Sequence, residues 1–279
     1  MSARRVAEGL QSTAAPAGAL RPAGVPVSIE EVGQSFHRAG RTTRAIDRVD
    51  LEISAGEFVA ILGPSGCGKS TLLKIAAGLL APTEGAVTIG GKTVSGPYTD
   101  LGIVFQSPVL LDWRNVLDNV LLQIELRDMD PAAYRDRAMA LLRSVGLEGF
   151  HDRMPRELSG GMRQRAAIVR GLIHDPPLLM MDEPFGALDA LTREQMRIDL
   201  EKLWLGRRQT TLFITHGIAE AVALADRVVV MTPRPGRIDQ IIDIDLPRPR
   251  DKAVVASRRF AEYCDVITDS FMRHGVIQY

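Results

Sequence analysis

Four short runs in this chain hold residue types that together handle a phosphate chain. The run GPSGCGKST (63–71) fits G-x-x-x-x-G-K-[ST]. Its glycines, Gly63, Gly66 and Gly68, let the backbone curl so that several N–H groups face one anion, and the helix expected after it adds its positive dipole end. Lys69 places a cation at the β- and γ-phosphates, where opposite unit charges about 4 Å apart gain roughly 4 kcal/mol at an effective dielectric near 20. Ser70 can offer a hydroxyl to Mg²⁺. The whole run Gly63, Pro64, Ser65, Gly66, Cys67, Gly68, Lys69, Ser70 and Thr71 is expected to bind the nucleotide. LLMMDEP (178–184) ends on two carboxylates. Asp182 suits the magnesium side, since Mg²⁺ takes oxygen ligands and keeps several waters. Glu183 is placed to orient or deprotonate a water attacking the γ-phosphate. Gln106 ends LGIVFQ and His216 ends LFITH. Gln106 could touch Mg²⁺ or that water, and His216 could hydrogen-bond the γ-phosphate.

A second anion cradle stands at LSGGMRQRAAIVRGL (158–172), where Ser159, Gly160 and Gly161 precede a helix-like run. Two cradles in one chain allow two arrangements: each chain binds two separate anions, or each nucleotide is shared by two chains. In the second, the first cradle of one copy faces the second cradle of another across a self-complementary two-fold interface. PFGALDALT (184–192) would then lie beside the seam, and Asp189 could carry contacts across it.

The elements that must position these residues alternate. VSIEEVGQSF (27–36) and AIDRVDLEI (45–53) read as half-buried strands, EFVAILG (57–63) as a buried strand, STLLKIAAGLL (70–80) as a helix and AVTIGGKTV (86–94) as a hairpin. LGIVFQ (101–106) is a buried strand. From about 107 to 170 the pattern is helical. PPLLMMDEP (176–184), TLFITH (211–216), RVVVMT (227–232) and IDQIIDIDL (238–246) return to strands. LTREQMRIDLEKLWLGRR (191–208) and IAEAVALA (218–225) are expected as helices, the first with Leu191, Met196, Leu200, Leu203 and Trp204 as its apolar stripe. Strand–helix alternation argues for a mostly parallel sheet, whose ligands bind beyond the carboxyl ends of the strands. The polar residues Gln106, Asp182, Glu183 and His216 all stand at such ends. Phe36 ends the first strand, where its ring could stack on adenine or fill the core.

Composition bounds the rest. The 279 residues are 46% hydrophobic and 24% charged, enough for a substantial core. Basic and acidic residues balance at 34 each, which argues against a dedicated nucleic-acid binder. Two cysteines, Cys67 and Cys264, suggest a reducing compartment. Beside phosphate-binding N–H groups, Cys67 could have a lowered pKa; alternatively it is only a small residue the loop tolerates. No run approaches the roughly 18 apolar residues that span a bilayer. Residues 1–26 read as a flexible Ala/Pro/Gly tail, with a cleaved signal as the alternative.

At this point the residues resemble a known family. GPSGCGKST, Gln106, LSGGMRQR, LLMMDEP, GALD (186–189) and His216 are similar, in that order, to the Walker A, Q-loop, signature, Walker B, D-loop and switch-histidine motifs of the ATP-binding-cassette (ABC) ATPases. The likeness covers roughly residues 27–246. It implies an α/β P-loop NTPase core with a mostly parallel sheet, a small N-terminal antiparallel subdomain and an inserted helical subdomain at about 107–170; residues 247–279 form a helical extension. It further implies ATP and Mg²⁺ as cofactors, hydrolysis by two copies clamped head-to-tail, and transmembrane permease partners docked through a groove beside the Q-loop. Ser159, Gly160 and Gly161 would bind the γ-phosphate held by the opposing copy. SPVLLDWRNVLDNV (107–120), MTPRPGRI (231–238) and Met162 resemble the import branch for nitrate, sulfonates and taurine. That branch implies a periplasmic or lipid-anchored solute-binding protein and a peripheral place on the cytoplasmic face of the plasma membrane. LLDW lacks the usual Pro before Trp113, Met162 replaces a commoner Gln, and Phe36 replaces a commoner Tyr. Arg163 and Arg165 are expected as helix-surface or interface charges. A soluble non-transport ABC ATPase and an inactive binding-only cassette are the rival readings; Glu183 and His216 weigh against the second.

Overall fold

The computed structural model describes residues 24–38 and 40–277. The strands, in chain order, are β1 (Val27–Arg38), β2 (Arg41–Ile53), β3 (Phe58–Leu62), β4 (Glu84–Ile89), β5 (Lys92–Thr93), β6 (Leu101–Val104), β7 (Leu178–Asp182), β8 (Thr210–Thr215), β9 (Arg227–Met231) and β10 (Ile238–Asp243). The helices are α1 (Lys69–Ala76), α2 (Val116–Glu125), α3 (Pro131–Ser144), α4 (Gly160–Leu172), α5 (Ala190–Leu205), α6 (Ile218–Leu224), α7 (Lys252–Val255) and α8 (Arg258–Arg273).

Strand composition sorts the strands into two sheets. The alternating strands β1 and β2 pair antiparallel and join β4 and β5 in the order β2-β1-β4-β5. The continuously apolar strands β3, β7, β8 and β9 fill the middle of a second sheet, ordered β10-β9-β3-β8-β7-β6. All its pairings are parallel except β9 with β10. Strands buried on both faces need no polar alternation, which is why they read as apolar runs. The period of two still operates. Phe58, Ala60 and Leu62 face one core, with Phe213, Met181 and helices α5, α6 and α8. Val59 and Ile61 face a second, with Leu72, Leu73 and the antiparallel sheet. The helical segment has a third core of its own, built on Val120, Leu142, Leu147 and Val169.

The expected tail at 1–26 lies outside the described residues except for 24–26, which are tied down. Thr210 Oγ1 donates to the Val25 carbonyl at 2.6 Å, and Gly90 N donates to the Pro26 carbonyl at 2.9 Å. One position in the apolar stripe of α5 is corrected. Met196, Leu200 and Trp204 are buried, but Leu191 is 85% exposed. At 100° per residue Leu191 stands 140° from Met196 and 180° from Leu200, on the far side of the helix. The strand ending LGIVFQ also stops earlier, at Val104, leaving Gln106 in the following loop. Helix α8 packs on α6, so Phe260, Tyr263, Ile267 and Phe271 join the main core.

Candidate functional site

Residues 63–68 link β3 to α1, and glycine is required there for two different reasons. Gly68 caps α1 with φ 108°, a left-handed conformation; a β-carbon would also meet the Ala45 carbonyl at 3.0 Å. Gly63 has an ordinary φ, but a β-carbon on it would stand 2.7 Å from Cys67 Sγ. Lys69, in the first turn of α1, is 4% exposed. Its Nζ donates to the carbonyls of Gly63 (2.9 Å) and Pro64 (3.1 Å) and lies 3.7 Å from Glu183 Oε1. Ser70 Oγ donates to Asp182 Oδ1 at 2.8 Å, which ties the loop helix to the end of β7.

The strand-end residues converge. Glu183, one residue past β7, holds φ 45° while its N–H donates to the Ile214 carbonyl on the neighbouring strand. A non-glycine residue held in this region is strained, and such strain concentrates at functional sites. The turn aims the carboxylate between Lys69 and His216, whose Nδ1 is 3.3 Å from Glu183 Oε2. Gln106 Nε2 and His216 Cε1 stand 3.6 and 3.7 Å from where a β-carbon on Gly186 would lie. Burial raises the Asp182 pKa, partly offset by the Ser70 hydrogen bond. Among the described residues no three His, Cys, Asp or Glu side chains gather to hold a metal unaided. The Ser70–Asp182 pair is an oxygen donor set suited to a hard cation that takes its remaining ligands from water and phosphate.

Part of this cluster borders a cavity of about 550 Å³, while Asp182 and His216 stand behind its lining. Ser65, Gly66, Gly68, Lys69, Ser70, Thr71, Gln106, Glu183 and Phe36 all line it. Phe36 is 42% exposed, so its ring face is open rather than core-packed. Its strand continues two residues beyond it. Arg38, Thr43, Ala45 and Arg234 also line the cavity and were missed in the sequence. The first three come from the β1–β2 hairpin, where alternation gives no hint of which face meets a ligand. Arg234 lies in MTPRPGRI, whose only signal was its branch resemblance. The loop residues Gly63, Pro64 and Cys67 shape the loop without lining the cavity.

The second cradle is elsewhere. Ser159 caps α4, its Oγ accepting from Met162 N at 3.2 Å. Ser159 and Gly160 are exposed, and a β-carbon on Gly160 would meet nothing within 4 Å. Neither they nor Gly161 line the cavity. A β-carbon on Gly161 would stand 2.4 Å from Thr192 Cγ2, so only glycine lets α4 approach α5 this closely. Thr192 in turn donates through N and Oγ1 to Asp189, the exposed N-cap of α5. These Thr192 hydrogen bonds lower the Asp189 pKa. The signature glycines and Asp189 thus form one rigid surface, apart from the chain's own phosphate loop.

One expectation is corrected. Cys67 is fully buried, and burial raises its pKa despite nearby Lys69, so it is not an activated thiol. Arg163 and Arg165 lie half-buried on the surface of α4, and both also brace the chain from within. Arg163 donates to the Leu158 carbonyl at 2.7 Å, bracing the segment before Ser159; Arg165 donates to the Val145 carbonyl and lies 3.8 Å from Asp199. Met162 leans on the helical core. The buried Gln164 donates to the Phe105 carbonyl at 3.2 Å, and Arg170 to those of Val109 and Pro108, so α4 also holds the loop that carries Gln106.

Comparison with known proteins agrees with this geometry. Residues 46–186 match the family described as ABC transporter. An uncharacterized ABC transporter ATP-binding protein of Methanocaldococcus jannaschii is 48% identical over 86% of this chain and 88% of its own. The aliphatic sulfonates import ATP-binding protein SsuB of Bacillus cereus is 40% identical over 90% of this chain and 98% of its own. The taurine import ATP-binding protein TauB of Rhizobium johnstonii is 47% identical over 81% and 88%. Among solved structures, a dimeric post-hydrolysis ATP-binding cassette bound to ADP and Pi superposes with a TM-score of 0.70 at 33% identity, covering 78% of this chain and 98% of that one. A nucleotide-sized cavity at the strand ends, a separate signature surface and these likenesses lead to one conclusion: the chain belongs to the ABC transporter family and is one of its ATPases.

Proposed function

We propose that this chain is the energising subunit of an importer for a small anionic or zwitterionic solute of the sulfonate or taurine kind, working as a head-to-tail pair on the cytoplasmic face of the membrane. One observation carries the dimeric part: Ser159 and Gly160 are exposed, with Gly161 buried beneath them, on a surface that takes no part in the chain's own cavity. A second copy would bring that surface over the phosphate loop, with Asp189 at the seam. The dimeric cassette structure supports this arrangement.

In this reading Phe36 stacks on adenine, the N–H groups of 65–71 hold the phosphates, and Lys69 neutralises the β- and γ-phosphates. Ser70, Asp182 and Gln106 would hold Mg²⁺, which when bound supplies charge neutralisation at the phosphate oxygens. Glu183 accepts the proton of the attacking water. His216 sits against Glu183 and reaches toward the γ-phosphate. The permease would dock in the groove between α2 and β6, lined by Leu79, Tyr98, Leu101, Ile103, Leu126 and Arg127. Leu79 and Leu126 are large, exposed and apolar there, and Trp113 is exposed on the same subdomain. No helix among the described residues is long and apolar enough to cross a membrane, which fits a pore supplied by other chains. The SsuB and TauB likenesses support import; in this reading a separate solute-binding protein would deliver the cargo.

Glu183→Gln tests the reading. ATP hydrolysis should fall at least about 10²-fold while ATP still binds, and sedimentation with ATP should show a dimer. Turnover within two-fold of wild type removes Glu183 from the mechanism, and a persistently monomeric, fully active complex with the permease removes the shared site. Solute-stimulated hydrolysis, measured after co-purification with the cognate permease, checks the cargo.

A further inference from the structure

The turn joining β9 to β10 is pinned from both sides. Gly236 N donates to the Ala45 carbonyl (3.0 Å), and Asp47 N donates to the Gly236 carbonyl (2.9 Å). Arg237 Nε reaches Asp47 Oδ2 at 2.8 Å, and Arg237 N donates to Thr232 Oγ1 at 3.1 Å. A β-carbon on Gly236 would stand 2.0 Å from the Cys67 carbonyl oxygen, so the turn lies directly against the phosphate loop. Arg234, at its tip, extends back over that loop. Its Nε and Nη2 both donate to the Gly66 carbonyl, at 3.1 and 3.0 Å, and it borders the 550 Å³ cavity. Arg237 has Asp47 as its partner; Arg234 meets no carboxylate among the described residues. A guanidinium carries five N–H donors, so three of them, including both on Nη1, have no acceptor among the described residues.

We propose that Arg234 is a nucleotide-binding residue, taking a phosphate oxygen of ATP through the N–H groups that Gly66 does not use. The inference rests on the cavity being the ATP site. Its cation adds to that of Lys69 at the same cavity. Because its two bonds to the Gly66 carbonyl already orient the guanidinium, less side-chain freedom remains to be lost on binding. A planar guanidinium matches phosphate where a lysine offers only a point charge. The gain should therefore scale with the charge of the ligand and shrink as salt is added.

The test measures ATP, ADP and adenosine affinities by competition against a fluorescent nucleotide, for wild type and for Arg234→Ala, Arg234→Gln, Arg234→Lys and Lys69→Ala. A lost charge-assisted hydrogen bond should weaken ATP about ten-fold in the Ala and Gln variants. ADP should weaken less and adenosine not at all, with thermal midpoints near wild type. Arg234→Lys should recover part of the loss, and added salt should narrow the gap. Equal losses for ATP and adenosine, together with a lowered midpoint, would mean that Arg234 only braces the loop, and the inference fails. ATP affinity within two-fold of wild type in Arg234→Ala overturns it as well. If Lys69→Ala also binds ATP normally, the cavity assignment itself is wrong.

Discussion

Asp182 and Glu183 are adjacent in the chain but occupy opposite environments. Asp182 completes β7 and accepts from Ser70, in a half-buried position whose desolvation raises its pKa. A carboxyl with a folded pKa above its unfolded value costs stability when ionised; that cost shrinks as the pH falls through the folded pKa and is gone below the unfolded one. At neutral pH the free protein therefore carries a small internal debt at Asp182, which a bound cation relieves. Asp182→Asn keeps an acceptor for Ser70 and removes the charge. It should raise the thermal midpoint of the nucleotide-free protein while abolishing measurable hydrolysis. A lowered midpoint in calorimetry would mean that the carboxylate is not under desolvation stress. Glu183 owes its position to the backbone instead: the left-handed turn at φ 45° carries it out of the strand and toward Lys69 and His216.

At the scale of elements, the run PRPRD (247–251) carries no readable motif, yet it finishes a helix. The last carbonyls of α6 have no partners within the helix. Arg250, 1% exposed, donates to the carbonyls of Val222 (2.7 Å) and Ala225 (2.6 Å), and Arg248 Nη2 donates to that of Leu224. A cation at a helix C-terminus is also favoured by the dipole. Burial lowers the Arg250 pKa to about 10, so the guanidinium stays charged at neutral pH. Arg248 stacks on Trp204, 4.5 Å from the ring centroid, and pairs with Asp226. Arg250→Met keeps the length and loses these bonds; stranding buried carbonyls should cost about 3 kcal/mol. Urea denaturation checks it, with Arg258→Met on the exposed face of α8 as a neutral control. A loss under about 1 kcal/mol would mean that the α6 carbonyls find other partners.

For the whole molecule, two cores lie on opposite faces of the central sheet and a third fills the helical segment, and polar groups are caught at joints between elements. His174, between α4 and β7, is one such joint. Neither ring nitrogen makes a hydrogen bond of good geometry; burial, followed by repulsion from Arg127, lowers its pKa from 6.5 to about 4, against a weak pull from the Leu101 backbone. Asp100 acts against that shift, and Arg137 adds to it. Between pH 6.5 and about 4 the unfolded chain binds a proton that the folded protein refuses, so stability falls as the pH falls through this window and is fully present above it. Unfolding free energies at pH 7.5 and 5 should show a smaller acid loss in His174→Leu than in wild type. An equal loss in both would place the acid sensitivity elsewhere.

How much of this was legible in the sequence follows from the range of the forces involved. The phosphate loop, the two carboxylates, Gln106, His216, the signature run and the alternation of strands and helices are local patterns, set by backbone conformation and by apolar periods of two and 3.6 residues. These were readable from the chain alone. Leu191 on the solvent side of α5, the burial of Cys67 and the bracing roles of Arg163 and Arg165 were not, because each depends on which distant surface arrives opposite. The same holds for Arg234. Its side chain crosses to Gly66 only because the antiparallel hairpin at the far edge of the sheet folds back over the loop. What the sequence determined by itself was the set of chemical groups and the strand ends that carry them. Which groups share a cavity, and which stand apart on a surface awaiting a partner, was decided by tertiary packing, since hydrogen bonds and charges act over a few ångströms of space and not along the chain.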